Sequence, residues 1–267
     1  MTMIRRPAVA GTFYPGSRES LSRQISGFEV KGEARLRCIG AVAPHAGYVY
    51  SGAVAGELYS KIEIPPVVII LAPNHRGPFV RFALSPAEKW QTPLGDAEID
   101  ADLASAIART FPPLELEAAP HYYEHSAEVQ VPFLQYFRPD VKIVPIVIAE
   151  HECEPLIDLG KALAQCIRNQ DVLIVASSDM THFEDAASAR HRDMMAIEKV
   201  LAIDPEGLHE VVHTNDISMC GVSPAIAMLA AARELGAKTA ELVRYANSGD
   251  VSGDHSSVVG YASVRVF

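Results

Sequence analysis

The chain has 267 residues, of which 49% are hydrophobic and 21% charged, and its formal net charge is -10. This apolar content can fill an interior and excludes a disordered chain, while the acidic balance argues against nucleic acid or an anionic membrane as the main partner. No run approaches the roughly 20 apolar residues of a spanning helix, and no signal-length apolar stretch follows the start, so we expect a cytoplasmic protein.

Apolar runs typical of buried strands alternate with stretches of helical spacing along most of the chain. Strands are predicted at residues 37–43, 66–71, 80–84, 141–149, 171–176, 240–246 and 258–266. Helices are predicted at residues 17–28, 51–61, 96–110, 124–137 with a break at Pro132, 155–169, 185–202, 205–213 and 221–235. This alternation predicts a single α/β domain over residues 1–267, with a central mostly parallel or mixed sheet flanked by helices.

Three histidines stand where predicted strands end. His45, His75 and His182 each follow an apolar run. The three runs, in the same order, are residues 39–43, 67–72 and 172–176. Because parallel strands in an open α/β sheet end on one edge, and ligands bind in the crevice outside those ends, the three imidazoles are expected to share one site.

The residues around His45 and His75 favour metal ligation. Each histidine follows a residue that favours an extended approach and precedes a glycine, in Pro44-His45-Ala-Gly47 and in Asn74-His75-Arg-Gly77. An extended approach followed by a tight turn presents a side chain rigidly into a crevice. For either histidine alone, a hydrogen-bonded turn residue is an equally good interpretation, but the matched contexts favour a metal pair.

A third ligand is needed, and the four cysteines offer one candidate. They show no paired Cys-x-x-Cys spacing, which argues against a structural zinc site or a disulfide framework. Cys220 is placed where a loop enters a predicted helix, and a helix N-terminus lowers the pKa of a thiol towards the thiolate that binds metal. From composition alone an inert buried cysteine is the favoured interpretation.

Asp179 and His182 form a second constellation after the strand at 171–176. A carboxylate three residues before a histidine can orient its imidazole, and a histidine that is not bound to metal can act as a general acid or base near pH 7. We therefore predict that both residues are catalytic. The alternative is that Asp179 caps the following helix.

Four more residues are candidates for binding substrate or supporting the metal ligands. His125 and Glu128 are three positions apart in a predicted helix and so share a face. A glutamate that merely faces solvent is the alternative for Glu128. Tyr48 and Asn74 stand in the segments that carry His45 and His75.

A series of short motifs, in order and spread over nearly the whole chain, resembles the Memo family. The motifs are RPAVAGTFYP at 6–15, PHAGYVYSG at 44–52, EHSAE at 124–128, SSDMTH at 177–182, Cys220-Gly221, SGDVSGD at 248–254 and VGY at 259–261. The family is named for a mediator of ErbB-driven cell motility, and its microbial members are called AmmeMemoRadiSam system protein B. Each motif is weak alone, but their number, order and spacing make the resemblance specific.

The resemblance implies a fold similar to the catalytic subunits of class III extradiol dioxygenases, which are non-haem iron enzymes. It also implies a metal held by His45, His75 and Cys220, with Asp179 and His182 beside it. The dioxygenases complete their site with a carboxylate, whereas this chain offers a thiolate, which shifts affinity towards copper or zinc. Fold similarity alone does not confer ring-opening activity.

Three functions are therefore weighed. The leading one is a metal-dependent redox protein, dioxygenase-like, that uses iron(II), or else copper, on an unidentified small molecule. The second is a module that binds a phosphorylated or acidic peptide in the same crevice without catalysis. The third is a hydrolase with a zinc-bound water. The microbial family name further implies functional association with AMMECR-like and radical S-adenosylmethionine proteins.

Overall fold

One mixed sheet runs through the part of the chain that the computed structural model describes, residues 3–77 and 79–267. Its strands are β1 (Ile4–Arg5), β2 (Gly40–Ala43), β3 (Val67–Pro73), β4 (Phe82–Leu84), β5 (Lys89–Thr92), β6 (Gly95–Ile99), β7 (Glu115–Leu116), β8 (Lys142–Ile148), β9 (Val172–Ser177), β10 (His182–Glu184), β11 (Ala240–Asn247) and β12 (Val258–Val266). The helices are α1 (Arg18–Phe28), α2 (Tyr48–Lys61), α3 (Ala101–Thr110), α4 (Ala119–Tyr122), α5 (Gln130–Phe137), α6 (Cys153–Ile167), α7 (Ala186–Leu201), α8 (Pro205–Thr214), α9 (Val222–Glu234) and α10 (Gly249–Ser252).

The centre of the sheet is parallel and its flanks are mixed. The strand order is β1-β5-β6-β8-β3-β9-β2-β12-β10, with β11 on β12, β4 on β8 and β7 on β4. From β6 to β2 every neighbouring pair is parallel, whereas β12 is antiparallel to β2, β10 and β11. The predicted fold class, an α/β domain with a mostly parallel sheet, is confirmed. In the described residues, none of the helices combines the length and apolar content needed to span a bilayer.

Helices cover both faces of the central strands, which explains their continuous apolar sequences. In β3, Ile69 and Leu71 join the cluster formed with α3, α6 and α9. Their neighbours Val68 and Ile70 join the opposite cluster, formed with α1, α2 and α5. Successive side chains of a strand point to opposite faces, so β3 is buried in apolar side chains on both faces. The polar residues of this segment follow the carboxyl end of the strand.

Two predicted helices begin several residues later than expected. The predicted helix 96–110 begins at Ala101, because Gly95–Ile99 pairs with both β5 and β8 as a strand and Asp100 then caps the helix. The predicted helix 124–137 begins at Gln130, after a turn. Pro132 therefore lies in the first helical turn, where backbone N–H groups have no intrahelical partner, and it does not break the helix.

Candidate metal centre

The carboxyl ends of neighbouring parallel strands bring three of the predicted site residues to one edge of the sheet. His45 follows β2, His75 follows β3 and Asp179 follows β9, each two residues beyond the strand end. This is the edge at which open α/β sheets bind ligands. The strand predictions therefore explain why residues more than a hundred positions apart meet here.

Three imidazoles form a compact cluster at this edge. One ring nitrogen from each of His45, His75 and His125 lies within 4.8 Å of the other two. The ring centroids are 5.2 Å apart for His45 and His75, 5.5 Å for His45 and His125, and 4.9 Å for His75 and His125. His45 is buried, His125 is half-buried and His75 is open to solvent. Such a cluster can hold a transition-metal ion.

Hydrogen bonds orient two of these rings with one nitrogen left for a metal. The Ser177 hydroxyl donates to the Ser126 carbonyl at 2.7 Å, so it accepts from Nδ1–H of His45, 2.9 Å away. The Glu124 carboxylate accepts from Nδ1–H of His75 at 2.9 Å. In both histidines the lone pair is then on Nε2, which is how metal-binding histidines are held in proteins.

Glu124 is a fully buried carboxylate that fixes His75. It accepts the backbone N–H of His75 at 2.6 Å as well as the ring N–H, and it accepts the N–H and hydroxyl of Ser126 at 2.9 and 2.7 Å. Burial acts to raise the pKa of Glu124, but the hydrogen bonds and charge of His75 and the N–H of Ser126 outweigh it and lower that pKa to about 2. Sequence reasoning assigned Glu124 no role, although it stands beside His125.

Two of the three imidazoles are held in their neutral, metal-accepting form. Burial, together with the neighbouring His75 and His125, lowers the pKa of His45 well below its ordinary 6.5. Burial likewise lowers the pKa of His125 to about 4. At pH 7 both imidazoles are therefore unprotonated, and no proton has to leave them before a metal binds.

Cys220 adjoins this cluster through His45. Its Sγ lies 3.2 Å from Nε2 of His45 and accepts the N–H of Asp179 at 3.3 Å. The following Gly221 permits this approach, since a Cβ there would lie 2.2 Å from the Ser177 carbonyl oxygen. Burial, with the charge of Asp179, raises the pKa of the Cys220 thiol above its ordinary 9. In the metal-free protein burial therefore outweighs the helix N-terminus, which was expected to lower that pKa.

Asp179 and His182 are held by different partners. Oδ1 of Asp179 accepts the N–H of His45 at 2.7 Å and that of the next residue at 3.3 Å, and burial raises the Asp179 pKa to about 6. Nδ1 of His182 lies 3.1 Å from the Ser218 carbonyl oxygen. Asp179 thus fixes the backbone of His45 rather than the ring of His182, and the helix cap proposed as its alternative role belongs to Asp185.

Glu128 holds the N-terminal segment. Its buried carboxylate pairs with Arg5, accepts the backbone N–H groups of Ala8 and Val9 at 2.7 and 3.1 Å, and accepts the Tyr14 hydroxyl at 2.5 Å. It does not face solvent, and it shares no helix face with His125, because the helix begins only at Gln130. Its interactions are those of a structural anchor.

Tyr48 and Asn74, the other two residues predicted to support the site, lie in different surroundings. Tyr48 is buried, donates its hydroxyl hydrogen to the Val129 carbonyl at 2.7 Å and packs its ring on Phe133, as a core residue does. Asn74 lines a cavity of about 350 Å³ that opens beside the cluster. His75 and Cys220 line the same cavity. A larger cavity, about 520 Å³, lies by β4, β5 and α3, and its described lining contains neither histidine nor cysteine.

The whole chain is similar to proteins of one family. Residues 5–265 match the Memo-like protein family. The chain is 42% identical over 262 residues to a MEMO1 family protein of Aquifex aeolicus, covering 97% of each, and 42% identical over 276 residues to one of Pyrobaculum arsenaticum, covering 98% of each. The crystal structure of an uncharacterized protein, JW3007, from Escherichia coli K12 shares the fold, with a TM-score of 0.59 at 14% identity, over 86% of this chain and 99% of that one. The family predicted from the motifs is therefore confirmed, and this chain belongs to the Memo-like protein family.

Proposed function

We propose that this Memo-family protein is a metalloprotein that binds a redox-active ion, iron(II) or else copper, through His45, His75 and Cys220. The observation that carries the proposal is the pair of imidazoles whose Nδ1 atoms are engaged by Ser177 and Glu124, so that both Nε2 atoms are available. Sγ of Cys220 lies 3.2 Å from one of them.

The donor set fits the proposed metals. Imidazole and thiolate suit iron, copper and zinc, whereas magnesium and calcium take oxygen ligands. The N–H of Asp179 points at Sγ of Cys220, and such a donor stabilises a thiolate once a metal has displaced the proton. His125 lies within the same cluster and is the competing third ligand.

The bound ion would supply redox chemistry, passing electrons from an oxidisable substrate in the adjoining cavity to O₂ as the oxidant. The residue that we assign to proton transfer is His182, because it lies outside the proposed ligand set and histidine is the side chain that most often serves as a general acid or base. Its ring is held through Nδ1 against the Ser218 carbonyl. Asp179 contributes by fixing the backbone that carries His45.

Metal analysis of anaerobically purified protein tests the proposal. We expect about one iron or copper ion per chain, and at least a tenfold loss of affinity in His75→Ala and Cys220→Ser. His191→Ala, which removes an exposed histidine of α7, is the matched control and should bind as the wild type does. Folded protein that binds no metal would overturn the proposal, and zinc as the sole metal in iron-supplied cells would favour the hydrolase interpretation.

The number of protons released on metal binding identifies the third ligand. Because burial keeps the Cys220 thiol protonated, ligation by sulfur must release a proton that ligation by the neutral His125 would not release. Titration with Zn²⁺ in weak buffer should therefore release about one more proton from the wild type than from Cys220→Ser. Equal release from both proteins would assign the third position to His125.

A further inference from the structure

The described lining of the cavity beside the candidate metal centre contains one cationic side chain, Arg76, and no acidic one, although the chain as a whole carries a formal charge of -10. The polar residues among the described lining are Asn74, His75, Arg76, His151, Cys220 and Ser223. This lining includes one guanidinium and two imidazoles and no aspartate or glutamate. A cavity of this composition favours an anionic ligand.

Hydrogen bonds and close packing hold the residues on either side of Arg76. Oδ1 of Asn74 accepts the N–H of Gly77 at 2.9 Å, and the Glu124 carboxylate holds both the backbone and the ring of His75. Gly77 packs against Pro120 so closely that a Cβ would lie 2.4 Å from the Pro120 Cα. The backbone that carries Arg76 is therefore held at both neighbouring residues, and one of these, His75, is a candidate metal ligand.

Arg76 is exposed and has no carboxylate partner among the described residues. Within residues 3–77 and 79–267 it forms no ion pair with a carboxylate, whereas Arg81, on the same connection between β3 and β4, pairs with the buried Glu150. A guanidinium is a planar fork that binds carboxylate and phosphate groups through two hydrogen bonds. Arg76 thus has the chemistry of an anion anchor and no anion of the described chain to bind.

We propose that the substrate of this site is a small molecule with a carboxylate or phosphate group, and that Arg76 binds that group. The volume of about 350 Å³ is that of a small-molecule site. His75 and Cys220 line the same cavity, so a molecule anchored on Arg76 extends towards the metal. This inference rests on the proposed metal function and adds a substrate class to it.

Anion titrations of cobalt(II)-loaded protein at constant ionic strength test the inference. The probes are inorganic phosphate, acetate, and acetamide as the neutral counterpart of acetate, and the readout is the visible spectrum of cobalt. Acetate and phosphate should bind about tenfold to one hundredfold more weakly to Arg76→Gln, with Arg76→Lys intermediate, because charge-assisted hydrogen bonds are lost. Arg109→Gln removes an exposed arginine of α3 and should leave binding unchanged.

Other outcomes would overturn the inference. Equal anion affinity in the wild type and in Arg76→Gln would place the anion on the metal alone, and equal binding of acetamide and acetate would remove the role of charge. Cobalt content should be unchanged in Arg76→Gln. If the wild type binds no cobalt, the metal function fails, and the same titration of metal-free protein, followed by NMR of the probes, still decides whether Arg76 binds anions.

Discussion

Replacing Glu124 with glutamine should destabilise the metal-free protein in a way that depends on pH. The Glu124 carboxylate is fully buried and accepts both the backbone and the ring N–H of His75, at 2.6 and 2.9 Å. An amide of the same shape has one acceptor oxygen and one NH₂ group, so one of these donors would face another donor. Glutamine thus preserves the packing and removes the charge.

The expected loss of stability follows from the pKa of Glu124. His75 and the N–H of Ser126, acting against burial, lower the Glu124 pKa from its ordinary 4.5 to about 2. At about 1.4 kcal/mol per pKa unit, the ionised carboxylate contributes about 3 kcal/mol to the free energy of unfolding. Because the folded-state pKa is the lower one, this contribution is complete above about pH 5, about half remains at pH 3, and it is lost as the pH falls through 2.

Urea denaturation in the presence of a chelator, from pH 7 to pH 3, measures the effect. Glu124→Gln should be about 3 kcal/mol less stable than the wild type at pH 7, and the difference should shrink as the pH falls. Glu63→Gln, at an exposed position, should follow the wild type throughout. A difference that stays constant with pH would mean that the charge of Glu124 does not stabilise the fold. Metal affinity of the same variant should fall about tenfold to one hundredfold, because the orientation of His75 is lost.

Two further substitutions test the scaffold around the site, both by urea denaturation. Arg5→Ala leaves the buried Glu128 carboxylate without its cation and should lower the free energy of unfolding by about 3–5 kcal/mol. Arg23→Ala breaks an exposed ion pair within a helix and should lower it by less than about 1 kcal/mol. Similar losses in the two variants would contradict a stabilising role for the buried ion pair of Arg5 and Glu128. Gly221→Ala would place a methyl group 2.2 Å from a backbone carbonyl oxygen and should destabilise the protein by more than about 1 kcal/mol. Gly27→Ala lies in α1 with open space around the added methyl group and should stabilise the protein by about 0.5–1 kcal/mol. A tolerated Gly221→Ala would mean that this contact is not tight.

The positions of His45 and His75 could be predicted because local sequence controls them. Each follows a strand whose continuous apolar residues indicate burial on both faces, and the glycine two residues later permits the turn. Strand pairing then brings them together, since β2 and β3 both flank β9 in parallel. Periodicity and turn chemistry are sufficient for such features.

The roles of Glu124 and Cys220 depend on contacts that no local pattern encodes. Glu124 acts on His75, 49 positions away, and its low pKa arises from hydrogen bonds that exist only after β3 and the turn before α5 have packed. Cys220 was expected to have a lowered pKa, but burial against the end of β9 has the larger effect. Residues 96–99, predicted as the start of a helix, belong to a strand because their pairing with β5 and β8 outweighs their helical spacing.

The turn at residues 124–128 links the candidate metal centre to the N-terminal segment. Glu124 fixes His75, His125 belongs to the cluster, and Glu128 binds the backbone of residues 8 and 9. Phe13, further along the segment that Glu128 holds, packs its ring 4.8 Å from that of His125 and accepts the N–H of Tyr48 through its carbonyl at 2.7 Å. The N-terminal motif, which contains no metal-binding side chain, therefore forms one wall of the site. The buried ion pair of Arg5 and Glu128 stabilises that wall, so its effect extends to the packing of His125.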